Sequence, residues 1–173
     1  ENNQFNVMMR GGGKRVRYLA LVDNKNKFGL LNEDYTHYSD RYNSQIRTYE
    51  LGLRMNLDVD ITSSTQMKFG LYGIIGEDKR PNTAINTIFQ NFYKVPAAAF
   101  PVKTLNDNWG SNTLFKMNPI AAIADVGYVQ ENRRMLETDM RITQDFSMFL
   151  KGLSAEVAVA YDNTATFQDI GSK

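Results

Sequence analysis

Between residues 45 and 61 the chain alternates without a break: Tyr49, Leu51, Leu53, Met55, Leu57, Val59 and Ile61 occupy odd positions, and Thr48, Glu50, Gly52, Arg54, Asn56, Asp58 and Asp60 even ones. A period of two gives each set its own face of a strand. A helix would scatter the leucines around its axis and mix the charges among them. After the polar turn Thr62-Ser63-Ser64-Thr65 the register resumes in Met67, Phe69 and Leu71, with Gln66, Lys68 and Gly70 between and beside them, which completes a hairpin. Two more hairpins flank it. One joins Phe5, Val7 and Met9 through Gly11-Gly12-Gly13 to Val16, Tyr18, Ala20 and Val22. The other joins Leu136, Thr138, Met140 and Ile142 through Gln144-Asp145-Phe146-Ser147 to Phe149, Leu153, Ala155, Val157, Val159 and Tyr161. The pattern predicts an all-β, antiparallel domain of about six strands extending over the whole chain.

The connections alternate in length, which periodicity alone does not require. Short turns fall near 11–14, 62–65 and 144–147, whereas the links near 23–44 and 76–128, and the tail after Tyr161, are long and polar. Tight turns at one end and long loops at the other are expected of a transmembrane β-barrel of the outer membrane. The apolar series from Leu51 to Ile61 matches the roughly 9–11 residues with which a tilted strand crosses hydrocarbon. Tyr49 stands at its end, and Phe149 and Tyr161 bracket the last strand as girdle aromatics would. Lys151, in the apolar register, is placed to snorkel to the headgroups. About six strands cannot close a barrel, because the smallest have about eight, and open edges are not tolerated in lipid. The expectation is a part of a larger barrel, or two further strands.

The second long link is patterned too. Ile85, Ile88, Phe89, Phe92 and Tyr93 recur at helical spacing within residues 83–94, just after Pro81-Asn82, and the helix should stop before Pro96. Residues 95–102, with Pro96 and Pro101, read as extended and stiff. A polar loop over residues 106–112 follows, carrying Trp109, the single tryptophan.

Composition narrows the chemistry. In 173 residues, 20 Lys+Arg face 19 Asp+Glu, a formal net charge of +1, so the basic excess of a nucleic-acid binder is missing and no nucleic-acid partner is expected. With Cys 0 and His 1, no disulfide framework, thiolate metal site, cysteine nucleophile or two-histidine site can form; no cofactor or metal is expected. A mean hydropathy of −0.43 and the lack of an apolar run near 18 residues exclude a transmembrane helix, but not strands that alternate between lipid and lumen. Gly11-Gly12-Gly13-Lys14 lacks the spacing of a phosphate-binding loop and reads as a hairpin turn. Methionines such as Met55, Met67 and Met140 sit at apolar strand positions. The chain opens Glu1-Asn2-Asn3-Gln4, without an initiator Met or an apolar leader, so either a removed leader or an internal piece of a longer protein is expected.

Several segments, taken in order, resemble one family. They are Gly11-Gly12-Gly13-Lys14-Arg15-Val16-Arg17-Tyr18, then Phe28-Gly29-Leu30-Leu31, then Arg41-Tyr42-Asn43 through Leu57-Asp58-Val59-Asp60-Ile61. The helix with Val95-Pro96, the loop with Trp109-Gly110, Asn118-Pro119 and Leu150-Lys151-Gly152-Leu153-Ser154 follow. This order is similar to the SusC/RagA-like TonB-dependent transporters of Bacteroidota outer membranes. The resemblance implies a barrel of about 22 strands, an N-terminal plug, energy from TonB–ExbB–ExbD, a SusD-like surface lipoprotein as lid, and import of oligosaccharides or peptides. It makes this chain an early-barrel fragment, without plug or TonB box, that contributes strands and substrate-side loops, with outer-membrane lipid and the remainder of the barrel as partners. No enzymatic activity is expected.

Glycan capture needs aromatic faces and planar polar groups where a soluble substrate can reach them. The candidate substrate-binding residues are Tyr35, Tyr38, Asp40 and Arg41, with Tyr42, in the first long loop, and Asn106, Asp107 and Trp109 in the second. The competing role for the same side chains is to pack the loops together or to contact the lid. His37 reads as a loop histidine, because a base needs an orienting carboxylate and a nucleophile beside it. Asp58 and Asp60, which share the polar face of their strand with Glu50 and Arg54, have an i, i+2 spacing open to a glycosidase pair; the plainer reading is a lumen wall or plug contact balanced by Arg54 and Lys68, with Glu137, Asp139 and Arg141 making a similar face. Two other functions remain open. One is a small autonomous eight-stranded outer-membrane barrel with a structural or adhesive role, which needs two strands inside the long insert against Pro96 and Pro101. The other is a soluble carbohydrate-binding β module.

Overall fold

Alternation along each segment becomes pairing between segments. The structure, a computed structural model, describes residues 2–31, 33–36 and 43–171, with backbone alone at Glu33 and Tyr35. Its strands are β1 (Asn2–Gly12), β2 (Val16–Phe28), β3 (Arg47–Asp60), β4 (Thr65–Pro81), β5 (Tyr128–Asp145) and β6 (Ser154–Gly171). They form one 6-stranded antiparallel sheet in the order β1-β2-β3-β4-β5-β6, each strand beside its neighbours in sequence. Among the described residues β1 and β6 do not pair with each other, so the sheet they form is open. Helices α1 (Glu33–Thr36), α2 (Ile85–Lys94) and α3 (Ala121–Ala124) lie in the two long connections.

The register carries the two-residue period across the whole sheet. Leu57 stands opposite Tyr18 and Phe69, Phe69 opposite Met140, and Met140 opposite Val159. One face is therefore apolar from β1 to β6. The other brings Asp58 opposite Arg17 and Lys68, and Lys68 opposite Arg141. A slip of one residue in any pair would exchange these faces.

Nothing among the described residues covers the apolar face. Phe5 is 64% exposed, Leu53 43%, Val157 68% and Val159 60%. The buried core sits elsewhere, in a small cap at the long-loop end made by Ile88 of α2, Ala122, Ile123 and Ala124 of α3, and Val129 of β5. Val129, opposite Arg80 and two residues from Glu131, belongs to the polar face, so the cap closes over that face. Ser44, fully buried, ties it down by donating its hydroxyl to the carbonyl of Ile123 at 2.8 Å. No helix among the described residues is long and apolar enough to cross a membrane, a fact that leaves strands untouched.

The six strands and their order follow the expectation; their ends do not. Residues 23–28 and 76–81, expected in loops, are strand, and the segment after Tyr161, expected as a polar tail, pairs with β5 as far as Gly171. The reason is that both faces are polar there. Asn24 and Asn26 alternate with Asp23, Lys25 and Lys27, so the period of two persists in the backbone without contrast in the side chains. The last turn is also longer than expected. Phe146 N–H donates to Leu153 O at 2.9 Å, Gly152 takes φ 83°, and β6 starts at Ser154. Phe149 and Lys151 thus lie in this turn, with the rings of Phe146 and Phe149 6.4 Å apart, and Lys151 has no strand position from which to snorkel. Residues 95–102 turn instead of running extended: Ala99 N–H donates to Pro96 O at 2.9 Å. The helix starts at Ile85, two residues later than the spacing predicts, and ends at Lys94, before Pro96 as expected.

Candidate functional site

Two surfaces carry concentrated polar chemistry, and the first is a small hairpin in the insert between β4 and β5. Gly110 N–H donates to Val102 O at 3.0 Å, Thr104 N–H to Asn108 O at 2.8 Å, and Asp107 N–H to Thr104 O at 3.0 Å. Asp107 sits at its tip with φ 60°, a left-handed conformation that Asp tolerates better than most residues. Behind the tip the chains touch so closely that a Cβ on Gly110 would lie 1.8 Å from Pro101 O. Glycine is required there by contact, not by its dihedral angles.

Lys103 organises the tip. Its Nζ lies 4.2 Å from the Trp109 ring centroid, 3.2 Å from Asp107 Oδ1 and 2.9 Å from the Asp107 carbonyl oxygen. The indole N–H of Trp109 donates to Asp125 Oδ2 at 3.3 Å. Asn118, only 4% exposed, fastens the base: its Nδ2 donates to Val102 O at 3.1 Å and Gly110 O at 3.0 Å, and its Oδ1 accepts from Ile120 N–H at 2.9 Å and Ala121 N–H at 3.4 Å. All four hydrogen-bonding positions of this buried amide are filled.

The structure therefore brings Asn106, Asp107 and Trp109 together on one tip, with Asn106 and Asp107 exposed and Trp109 half-buried. The arrangement offers an amide, a carboxylate and an ammonium to hydroxyl groups, while the ammonium of Lys103 already occupies one face of the indole. Of the first-loop candidates, Tyr38, Asp40 and Arg41, together with His37 and Tyr42, lie outside the described residues, and Tyr35 is placed in α1 by its backbone alone. Lys103, Asn118 and Asp125 are the participants that sequence reasoning missed. Asn118-Pro119 is a turn signal by composition, but nothing in it announces which carbonyls the amide will reach.

The second surface is the polar face of the sheet. Glu50 accepts from Lys25 Nζ at 3.0 Å and from Arg133 Nη2 at 3.1 Å, and Lys25 also lies 3.2 Å from Asp23. Glu50 and Arg133 belong to strands two apart, with Gly76 of β4 standing between them. The missing side chain leaves the room in which they meet. Toward the short turns, Arg17 lies 3.8 Å from Asp58 and 3.5 Å from Asp60, which also accepts from Gln66 at 2.9 Å. The acids expected to be balanced by Arg54 and Lys68 thus share one guanidinium from β2, while Arg54 lies over the Tyr72 ring at 5.0 Å. Arg141 shares its face of β5 with Glu137 and Asp139, as expected, and pairs with Glu156 of β6 at 3.4 Å. Ion pairs between strands thus cross this face from β2 to β6.

At the short-turn end, the Asp145 carboxyl is held below its ordinary range by the Ser147 hydroxyl, which donates to it, and by the Ser147 N–H, which donates to Oδ1 at 2.7 Å. No protein-family model matches the chain, and no curated protein matches it in sequence.

Proposed function

We propose that this chain is a segment of a SusC/RagA-like TonB-dependent transporter, about six strands of a larger barrel in a bacterial outer membrane. The observation that carries the reading is the uncovered apolar face. Its band runs from Val59 and Met67 to Leu51 and Ile75, about nine residues along each strand, close to the roughly 9–11 needed to cross hydrocarbon. Tight turns border it on one side and long, polar, partly helical connections on the other, the asymmetry of an outer-membrane barrel. In that setting the compensated wall of Glu50, Lys25, Arg133, Arg17, Asp58 and Asp60 lines the lumen, and the free edges of β1 and β6 join the remaining strands.

Transport in this reading begins with capture of an oligosaccharide or peptide between extracellular loops and a SusD-like lipoprotein. The hairpin carrying Asn106, Asp107 and Trp109 contributes to that capture surface. Passage follows along the lumen wall when TonB–ExbB–ExbD acts on a plug outside this chain. An autonomous eight-stranded barrel would need two more strands; between β4 and β5 the described residues hold α2, α3 and one isolated bridge, Lys103 with Trp109. A soluble carbohydrate-binding module would leave the apolar face bare in water at a cost of about 25 cal/mol per Å².

The test is the intact mass of the source protein, extracted from its cells and run under denaturing conditions beside any copurifying chains. A detergent-requiring species several times 19.7 kDa, accompanied by a lipoprotein, is expected. A lone 19.7 kDa species in the aqueous fraction would sink the transporter reading.

A further inference from the structure

On the polar face Arg17, Lys25, Arg133 and Arg141 each lie within ion-pair distance of a carboxylate, whereas Arg10, Lys27, Arg54, Lys68 and Arg80 have no ion-pair partner among the described residues, and Arg54 lies over the Tyr72 ring. On the apolar face three cations stand at the long-loop edge of the band: Arg47 of β3, Lys79 of β4 and Arg134 of β5. None has an ion-pair partner among the described residues. Arg134 is opposite Ile75, in the last row of the band. Arg47 is directly opposite Lys79, a like-charge pairing that destabilises a sheet unless something anionic lies between. The acidic groups on this face are Glu77, diagonal to Arg47, and Asp169, which already accepts the Tyr128 hydroxyl at 3.2 Å.

Each of the three cations also rests on a ring. Arg47 lies 5.3 Å from the Phe28 centroid, Lys79 4.8 Å from Tyr128, and Arg134 5.9 Å from Phe167. Stacking of this kind leaves most of the N–H donors of a guanidinium or ammonium free for an oxyanion. Immediately toward the short turns, on the same face, come exposed Ile75, Leu53 and Met55. A partner that fits both parts carries negative charge at one end and hydrocarbon behind it.

We propose that Arg47, Lys79 and Arg134 form an extended binding site, spread across neighbouring strands, for the phosphate headgroups of anionic membrane lipids whose acyl chains lie along the adjoining apolar band. The site rests on the membrane reading above and adds to it a lipid class and a leaflet, the one on the long-loop side. Arginine and lysine bind phosphate through charge-assisted hydrogen bonds.

The experiment uses the complete protein from its source membrane, reconstituted in phosphatidylcholine vesicles carrying a trace of spin-labelled phosphatidylglycerol or spin-labelled phosphatidylcholine. Protease protection reports insertion, and the immobilised spin fraction reports lipid association. The expected result is insertion together with a several-fold preference for phosphatidylglycerol, which the triple variant Arg47→Gln, Lys79→Gln, Arg134→Gln abolishes without loss of insertion. The variant Arg47→Lys, Arg134→Lys should retain most of the preference. Insertion with equal association of both lipids, or a preference that the triple variant leaves intact, overturns the headgroup site and spares the barrel. Displacement of phosphatidylglycerol by millimolar inorganic phosphate would make this a soluble-anion site and also overturn the proposal. Failure to insert at all removes the membrane reading and the lipid site with it.

Discussion

Asn118 holds the insert together through contacts that no local pattern announces. Replacing it by alanine would leave the buried Gly110 carbonyl and the part-buried N–H groups of Ile120 and Ala121 without their partner, while the Val102 carbonyl keeps the Gly110 N–H. A cost of about 1–3 kcal/mol is expected from the unmet hydrogen bonds. The readout is faster amide exchange confined to residues 102–121, with the exchange of β3 to β5 unchanged; uniform protection would show that Asn118 is not the fastening. Trp109 and Asp107 were legible in the sequence as polar-loop chemistry, whereas Lys103 and Asp125 were not, because their roles come from the fold of the hairpin. Asp145 offers a second test. Its carboxyl is depressed by the Ser147 hydroxyl and N–H from the ordinary 3.8, so the turn is stabilised above that value and loses the contribution as pH falls through the lower, folded-state value. Ser147→Ala should raise the Asp145 pKa toward the ordinary value, visible in a carboxyl carbon NMR titration; an unchanged midpoint would mean that the backbone N–H alone sets it.

At the scale of elements, the hairpins were legible where the two faces differ and became invisible where they do not. β3 reads cleanly from Leu51 to Val59, because each apolar residue alternates with a polar one. Beyond Tyr49 and Glu77 both faces are polar, yet the ladder continues, and the paired neighbours of Lys25, Asp78 and Glu131 decide that. The turn from Phe146 to Leu153 was misplaced for a related reason: Phe149 and Lys151 keep the parity of the strand that follows without belonging to it. Gly152, at φ 83° with open space around its Cα, identifies the true turn. Gly152→Ala adds no clash but forces a left-handed residue, so about 1–2 kcal/mol of destabilisation is expected. Urea unfolding of the intact protein measures it, and a neutral substitution would mean that the turn relaxes.

For the whole molecule, the decisive question is what lies against the apolar face. Met55 is near the middle of the band and Asn56, its neighbour, is on the opposite face. If lipid covers the band, Met55→Arg costs about 2–4 kcal/mol in vesicle-based unfolding while Asn56→Arg costs far less. Equal effects would contradict a lipid-facing band. The chain's own sequence determined the strand class, the number of strands, their hairpin order and which side chains share a face, since all of these follow from a period of two between recognisable turns. Only the tertiary structure decided where the strands end, which carboxylate each cation meets, and that the insert closes over the polar face through Ile123, Ser44 and Asn118. Those outcomes depend on register and on contacts between residues distant along the chain, such as Glu50 with Arg133, and a local pattern carries no record of them.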